Sequence, residues 1–295
     1  MSDTTTSLRR KTESAGDLQS VVRTMKAVAA SSIGQYEKSV RALGDYYRIV
    51  QLGLGECLRA SGLLIAEGKG PAAAGATGAV VFGSDQGLVG QFNDVVADHA
   101  GKTLAALPAI PEVWAVGERV HARLAGTGLP MVGLFAGPSS VKAINLLVGR
   151  ILVETETRRS QGGLTALYLF YNRPTSGATY VPVSQKLLPL DESWRRRLVE
   201  LPWPKGSLPE VMGVGTAVLR ALIREYLFVS LFRACAESLA SENASRLAAM
   251  QRADNNIDEL LEDLNATFHR LRQGGIDEEL FDVISGFEAL SAEEE

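Results

Sequence analysis

The sequence has two cysteines, three histidines and no proline at all between residues 4 and 66. Each scarcity removes a class of function. Cys57 and Cys235 stand alone, without a Cys-x-x-Cys or any metal-ligand spacing, which fits two buried thiols in a reducing compartment rather than a bridge or a zinc site. His99, His121 and His269 fall on three separate predicted elements, and no serine or cysteine nucleophile lies beside them, so a hydrolytic triad has no support. No acidic pair stands out for acid–base work, and no cofactor or metal is expected. The formal net charge is −4, which argues against a nucleic-acid-binding face. Residues 1–7 are polar and lack an apolar signal core. The greasiest region, 217–232, is interrupted by Arg220, Arg224 and Glu225, so no direct membrane insertion is expected. With 46% hydrophobic and 22% charged residues the chain should pack, as a soluble, cytoplasmic-type protein.

What the chain does have is two long apolar seams. Near the end, Leu247, Met250, Ile257, Leu261, Leu264, Phe268 and Leu271 step by three and four, with Asp254 as the one polar intrusion. Near the start, Leu8, Ala15, Leu18, Val22, Met25, Ala29, Tyr36, Leu43, Tyr46 and Val50 keep the same cadence, with Lys11, Ser32 and Ser39 in the remaining slots. Such a repeat winds a narrow stripe around a helix and asks for a second helix beside it. The expected coiled-coil core is Leu18, Val22 and Met25 against Met250, Ile257, Leu261 and Leu264.

The proline-free segment predicts one helix over 1–66, about 90 Å long at roughly 1.5 Å per residue. Gly16, Gly34, Gly44, Gly53 and Gly55 weaken it by about 1 kcal/mol each, so it must persist by packing. A glycine-rich linker occupies 68–78. From 78 to 201 short apolar runs at 79–82, 112–116 and 129–134 alternate with helix-like pieces at 88–107, 118–125 and 139–157. That alternation predicts a small Rossmann-like domain on a parallel sheet. Segments 164–171 and 178–188 read as an edge hairpin. A final helix covers 207–290, with Pro209 in its first turn. Because the inserted domain begins where one helix ends and finishes where the other starts, the two helices must run antiparallel. The last helix is the longer one, leaving Ile276, Leu280, Ile284 and Phe287 as a stripe with no partner in this chain.

Two segments resemble ligand motifs. Ala100-Gly101-Lys102-Thr103 looks like the end of a phosphate loop, but the required earlier glycine is Val96 and Lys102 lies in a predicted helix. Gly83-Ser-Asp-Gln-Gly87-Leu-Val-Gly90 follows a strand where a dinucleotide would bind, yet its spacing is not GxGxxG and no acid is placed to hold a ribose. A tight glycine turn is the simpler expectation. Arg158-Arg159 and Arg195-Arg196-Arg197 read as solvated basic runs.

Three segments together resemble the γ subunit of F-type ATP synthases. Met25-Lys-Ala-Val-Ala-Ala-Ser31 is similar to that family's Met-x-x-Val-Ala-Ala-Ser. Ser84-Asp-Gln-Gly-Leu-Val-Gly90 with Asn93 is similar to its Ser-Asp-(Arg/Lys)-Gly-Leu-x-Gly and downstream Asn. Ser241-Glu242, Arg246, Ala249-Met250, Asn255, Arg272-Gln273, Ile276, Glu279-Leu280 and Gly286 follow its terminal order. The likeness spans nearly the whole chain. Departures occur at Ser32-Ile33-Gly34, Gln86, Gly274-Gly275 and Asp277, and resemble a divergent branch such as the alternate, sodium-type F-ATPases.

The resemblance implies a long antiparallel coiled coil of N- and C-terminal helices with an inserted Rossmann-like α/β domain. It further implies a non-catalytic central stalk, peripheral on the cytoplasmic side of a bacterial or archaeal membrane. Its partners would be the alpha and beta subunits of the catalytic ring, an epsilon-type small stalk subunit and the membrane c-ring. Arg272, Gln273 and Asp277 would meet the catalytic subunits' loops. Ile276, Leu280, Ile284 and Phe287 would run in an apolar sleeve, and Val89 would lie near the lower acidic loops. The competing readings are a small-molecule or nucleotide-binding α/β enzyme that oligomerises through its coil, and a free coiled-coil scaffold.

Overall fold

The computed structural model describes residues 4–60, 75–109, 111–175, 179–204 and 215–292, the side chains of 215–216 and 286–292 excepted. Most of the expected linker at 68–78, the helix end at 61–66, Pro209 and the side chain of Phe287 lie outside them. The chain divides into two compact units, Met1–Val28 with Leu247–Glu295, and Ala29–Arg246.

Helix α1 (Thr5–Ala60) starts at Thr4, whose hydroxyl accepts from the Ser7 amide at 3.3 Å, satisfying one of the free donors of a first turn. Helix α6 runs over Gly215–Ala292. In the first unit their sequences bury Ala15, Val22, Met250 and Ile257 in one cluster, with Met25, Leu261 and Leu264 packed against it. The pairing is antiparallel. Gln19 donates to Asp258 further along α6, while Arg23 and Lys26 reach back to Asp254 at 3.0 and 3.2 Å.

Leu18, Tyr46 and Leu271 of the expected seams are exposed and not buried. The inner row of α1 recurs every seventh residue, buried at Leu8, Ala15, Val22, Ala29, Tyr36 and Val50 and half-buried at Leu43. Its companions fall four residues later at Thr12 and Gln19, where the cadence suggested three, while beyond Val22 both Met25 and Lys26 are half-buried. Leu18 is therefore 55% exposed and is not core. Gln19 and Lys26 take the inner slots because Asp258 and Asp254 on α6 hold them there by hydrogen bonds and charge. Asp254, the polar break in the α6 seam, is thus matched by α1.

That match has a pH signature. Burial pushes the Asp254 carboxyl up, but hydrogen bonds from Arg23 and Lys26 and their charges outweigh it and hold the group below its ordinary value. A depressed carboxyl contributes stability that is present above the unfolded-chain value of about 3.9 and is lost as pH falls through the folded one. Asp254→Asn should therefore melt earlier than the parent near neutrality. Thermal melts by circular dichroism should show the gap closing as both are acidified below about pH 4; a gap that is constant with pH would remove the ion pairs from the coil's stability.

In the second unit a five-stranded sheet has the order β3-β2-β1-β4-β5. Strands β1 (Ala76–Phe82), β2 (Pro111–Val116), β3 (Met131–Phe135) and β4 (Leu164–Pro174) are parallel, and β5 (Tyr180–Leu188) closes the edge antiparallel to β4. Period two divides the central strands between two cores. Ala79, Val81, Val113 and Ala115 face helices α2 (Phe92–Ala105) and α3 (Glu118–Ala125). Val80, Phe82, Trp114 and Val116 pack in one cluster with Ile144 and Ile151 of α4 (Val141–Ser160) and with Val50, Leu54, Tyr226 and Leu231 of α1 and α6. Cover on both faces explains why residues 79–82 of β1 read as an unbroken apolar run.

Helix α5 (Glu192–Glu200) was not expected from the sequence. Asp191 caps it, accepting from the Trp194 amide at 2.8 Å. Its last turn leaves carbonyls free, and Arg59 of α1 takes those of Val199 and Leu201. Trp194 donates to the Tyr226 hydroxyl at 2.9 Å. This close dock explains Gly55, where a Cβ would stand 2.4 Å from the Leu198 carbonyl oxygen. By contrast a Cβ at Gly16, Gly34 or Gly44 would meet nothing within 4 Å.

Candidate functional site

Open parallel sheets take ligands beyond the carboxyl ends of the strands, where strand order reverses. Here that point lies between β1 and β4. The turn after β1 is tied down by its own side chains. Asn93 accepts from the Ser84 amide at 3.0 Å and donates to the Ser84 hydroxyl at 2.9 Å. Asp85 spans two further loops, accepting from the Glu118 amide at 3.1 Å and the Gly137 amide at 2.8 Å. Two backbone donors at this switch point are therefore taken by a carboxylate of the chain itself.

Helix α6 closes what remains. Ser245 donates to the Val89 carbonyl at 2.6 Å, Ser241 to the Asn172 carbonyl at 2.9 Å, and Asn172 to the Phe92 carbonyl at 2.9 Å. A polar hollow of about 200 Å³ is left among Tyr36, Asp85, Gln86, Ser139, Glu242 and Arg246. Ligand pockets usually begin at about 300 Å³. Burial raises the Glu242 carboxyl, the Arg246 guanidinium 2.8 Å away pulls it down, and Asp85 adds to the rise. The motif Ser84–Gly90 with Asn93 is thus a device for locking three loops beneath a helix.

Other candidates resolve similarly. Gly101, Lys102 and Thr103 lie within α2, where the Thr103 hydroxyl donates to the His99 carbonyl at 2.8 Å, so they form no loop. Among the described residues no group of three His, Cys, Asp or Glu side chains is placed to hold a metal. Cys57 and Cys235 are buried thiols outside any disulfide, and burial first and a neighbouring glutamate second raise the pKa of each. Arg195 and Arg196 pair with Glu192 on their own helix at 3.5 and 3.2 Å.

Val89, the residue singled out in this turn, points inward. Its side chain is 2% exposed and its carbonyl belongs to Ser245. The exposed residue of that turn is Leu88, at 60% and φ 62°, a left-handed conformation that a branched side chain adopts at a cost of roughly 1–2 kcal/mol. Only the neighbouring glycines hinted at it in the sequence.

The far end of α6 is a different kind of surface. From 269 to 285 every side chain is exposed, including Arg272, Gln273, Ile276, Asp277, Leu280 and Ile284. Among the described residues α1 begins at Thr5 and lines a groove with Ile257, Leu260 and Leu264, so nothing of this unit covers α6 beyond Phe268. Phe281 and Val283, 68% and 69% exposed, extend the stripe that Ile276, Leu280 and Ile284 begin. Both are helical neighbours of that stripe, three residues or fewer away, and the sequence reading passed over them.

A family model described as ATP synthase matches residues 4–290. The chain is 27% identical to an ATP synthase gamma chain from Parafrankia sp. over 96% of itself and 97% of that protein. It is 28% identical to one from Salinibacter ruber over 96% and 97%. Its fold is shared with a chain in the rotor of the Euglena gracilis mitochondrial ATP synthase, with a TM-score of 0.62 at 18% identity over 92% of this chain and 98% of that one. A chain from the Tetrahymena thermophila central stalk and c-ring gives a TM-score of 0.57 at 22% identity, over 79% and 99%. A plugged sheet, an antiparallel coil and a bare helix end accompany a match along the whole chain: it belongs to the ATP synthase gamma-chain family.

Proposed function

We propose that this gamma-family chain turns as the central-stalk rotor of an F-type ATP synthase, coupling ion flow through a membrane ring to ATP synthesis or hydrolysis in a ring of alpha and beta subunits. The chain is itself non-catalytic, and the hollow of about 200 Å³ beyond the carboxyl ends of its strands is small for a nucleotide. The supporting observation is the exposed run of α6 from 269 to 285, an apolar stripe on a single helix that continues beyond a two-helix coil. A rod of that form presents a different face in each direction, which is what drives three equal catalytic sites out of phase. Its partners are the alpha and beta subunits, an epsilon-type small stalk subunit and the membrane c-ring. No helix among the described residues is long and apolar enough to cross a membrane, which fits a peripheral place on the cytoplasmic side of a bacterial or archaeal membrane.

Arg272 and Gln273 supply the polar contacts to the catalytic subunits. The variant Arg272→Ala with Gln273→Ala should lower coupled ATPase of the assembled complex by about tenfold, the equivalent of about 1.4 kcal/mol, while its helical circular dichroism stays unchanged. Unaltered coupling would take both residues out of the contact. Nucleotides should leave the melting temperature of the isolated chain where it was; a rise would favour the enzyme reading instead.

A further inference from the structure

Side chains on α6 advance by about 100° per residue. On that wheel Ile276, Leu280, Val283 and Ile284 span about 100° of arc, and Phe281 follows about 60° beyond Ile284. Glu278 and Asp282 occupy the opposite side, and Glu279 flanks the run about 40° from Val283. Asp277 does not join them: it falls between Ile284 and Phe281, inside the apolar run, and all of these side chains are exposed. Its helical neighbours at three and four residues are Gln273, Gly274, Leu280 and Phe281, so none is cationic. No lysine or arginine occurs from 273 to 292.

Any surface that covers Ile276, Leu280, Ile284 and Phe281 must also take Asp277 out of water. A carboxylate buried without a partner is strongly disfavoured, and its charge is satisfied best by a guanidinium or ammonium. Resting on the rotor reading above, we propose that the ring surface facing this stripe presents an arginine or lysine to Asp277. Because the rotor meets three equivalent surfaces in turn, each carries the same cation. The carboxylates outside the run, Glu278 and Asp282 on the far side and Glu279 at its edge, stay hydrated. A second copy of the chain fits this stripe poorly, since it would bring acid against acid.

The test uses the chain assembled with its alpha and beta subunits and compares Asp277→Lys, Asp277→Asn and Glu278→Lys. Asp277→Lys should weaken attachment of the chain to the ring by about tenfold or more at low salt, with Asp277→Asn between it and the parent. Glu278→Lys should stay within about twofold, and the Asp277→Lys deficit should shrink as salt screens it. A structure of the parent complex should place a lysine or arginine nitrogen within about 4 Å of the Asp277 carboxylate. Equal losses at 277 and 278, no loss at 277, or a carboxylate facing no cation would each overturn the pairing. A parent chain that fails to enter the ring at all would instead refute the rotor reading, so the two failures are told apart.

Discussion

Gly117→Val should prevent the α/β unit from folding, with a loss on the order of 4 kcal/mol or more. Two costs combine. Gly117 sits at φ 112°, where a side chain is strained and a β-branched one most of all. A Cβ there would also stand 2.7 Å from the Ser84 backbone carbonyl, in the turn after β1 that Asn93 and Asp85 hold in place. Neither side can give way, because Gly117 donates to the Phe135 carbonyl at 2.9 Å and Arg119 to that of Ser84 at 3.0 Å. Gly128→Ala is the control: φ is 76° but nothing lies within 4 Å of its Cβ, so it should cost only about 1–2 kcal/mol. Urea unfolding and soluble yield report both. If the two variants fall equally, backbone strain alone is at work and the close packing of the loops has been overstated.

Trp114→Ala should destabilise the chain by about 3–5 kcal/mol. The indole is 1% exposed and lies over glycines of both neighbouring strands, where a Cβ at Gly133 or Gly78 would come within 2.6 or 3.2 Å of the ring. In the register Trp114 stands opposite Gly133, so one large residue fills space that its neighbour leaves. The indole N–H, however, is buried without an acceptor, and an orphaned donor costs about 1–3 kcal/mol. Trp114→Phe removes that donor and keeps most of the ring, so it should cost far less than Trp114→Ala, about 1 kcal/mol or less. A phenylalanine variant as damaged as the alanine one would mean that the nitrogen does find a partner in solution.

The coil, the alternation of strands and helices and the edge hairpin were legible because each rests on a local periodicity. What escaped depends on three-dimensional position. Leu18 and Gln19 are one residue apart on α1, and apolarity favours Leu18; only the acids at 254 and 258 on another helix turn Gln19 inward. Val89 belongs to a family motif, yet burial and Ser245 leave its neighbour Leu88 as the exposed residue. Helix α5 is nine residues long and carries three successive arginines, so its apolar signal was faint, although Asp191 before Trp194 is an ordinary capping sign. The roles of Asp85 and Asn93 could not be read from spacing, since both act on backbone groups brought close by the sheet. Arg272, Gln273, Ile276, Asp277, Leu280 and Ile284 share one exposed helix segment, and the sequence anticipated that because α6 outruns α1.

Four glycines of α1 fall into two kinds, with Gly53 between them at ordinary contact with Leu222. Gly55 is required by the Leu198 carbonyl, whereas Gly16, Gly34 and Gly44 face open space and answer to no neighbour. Each lowers helix propensity by about 1 kcal/mol against alanine without altering a single packed surface. Natural variation at those three places can therefore make the helix more springy or more rigid without disturbing the packing within this chain.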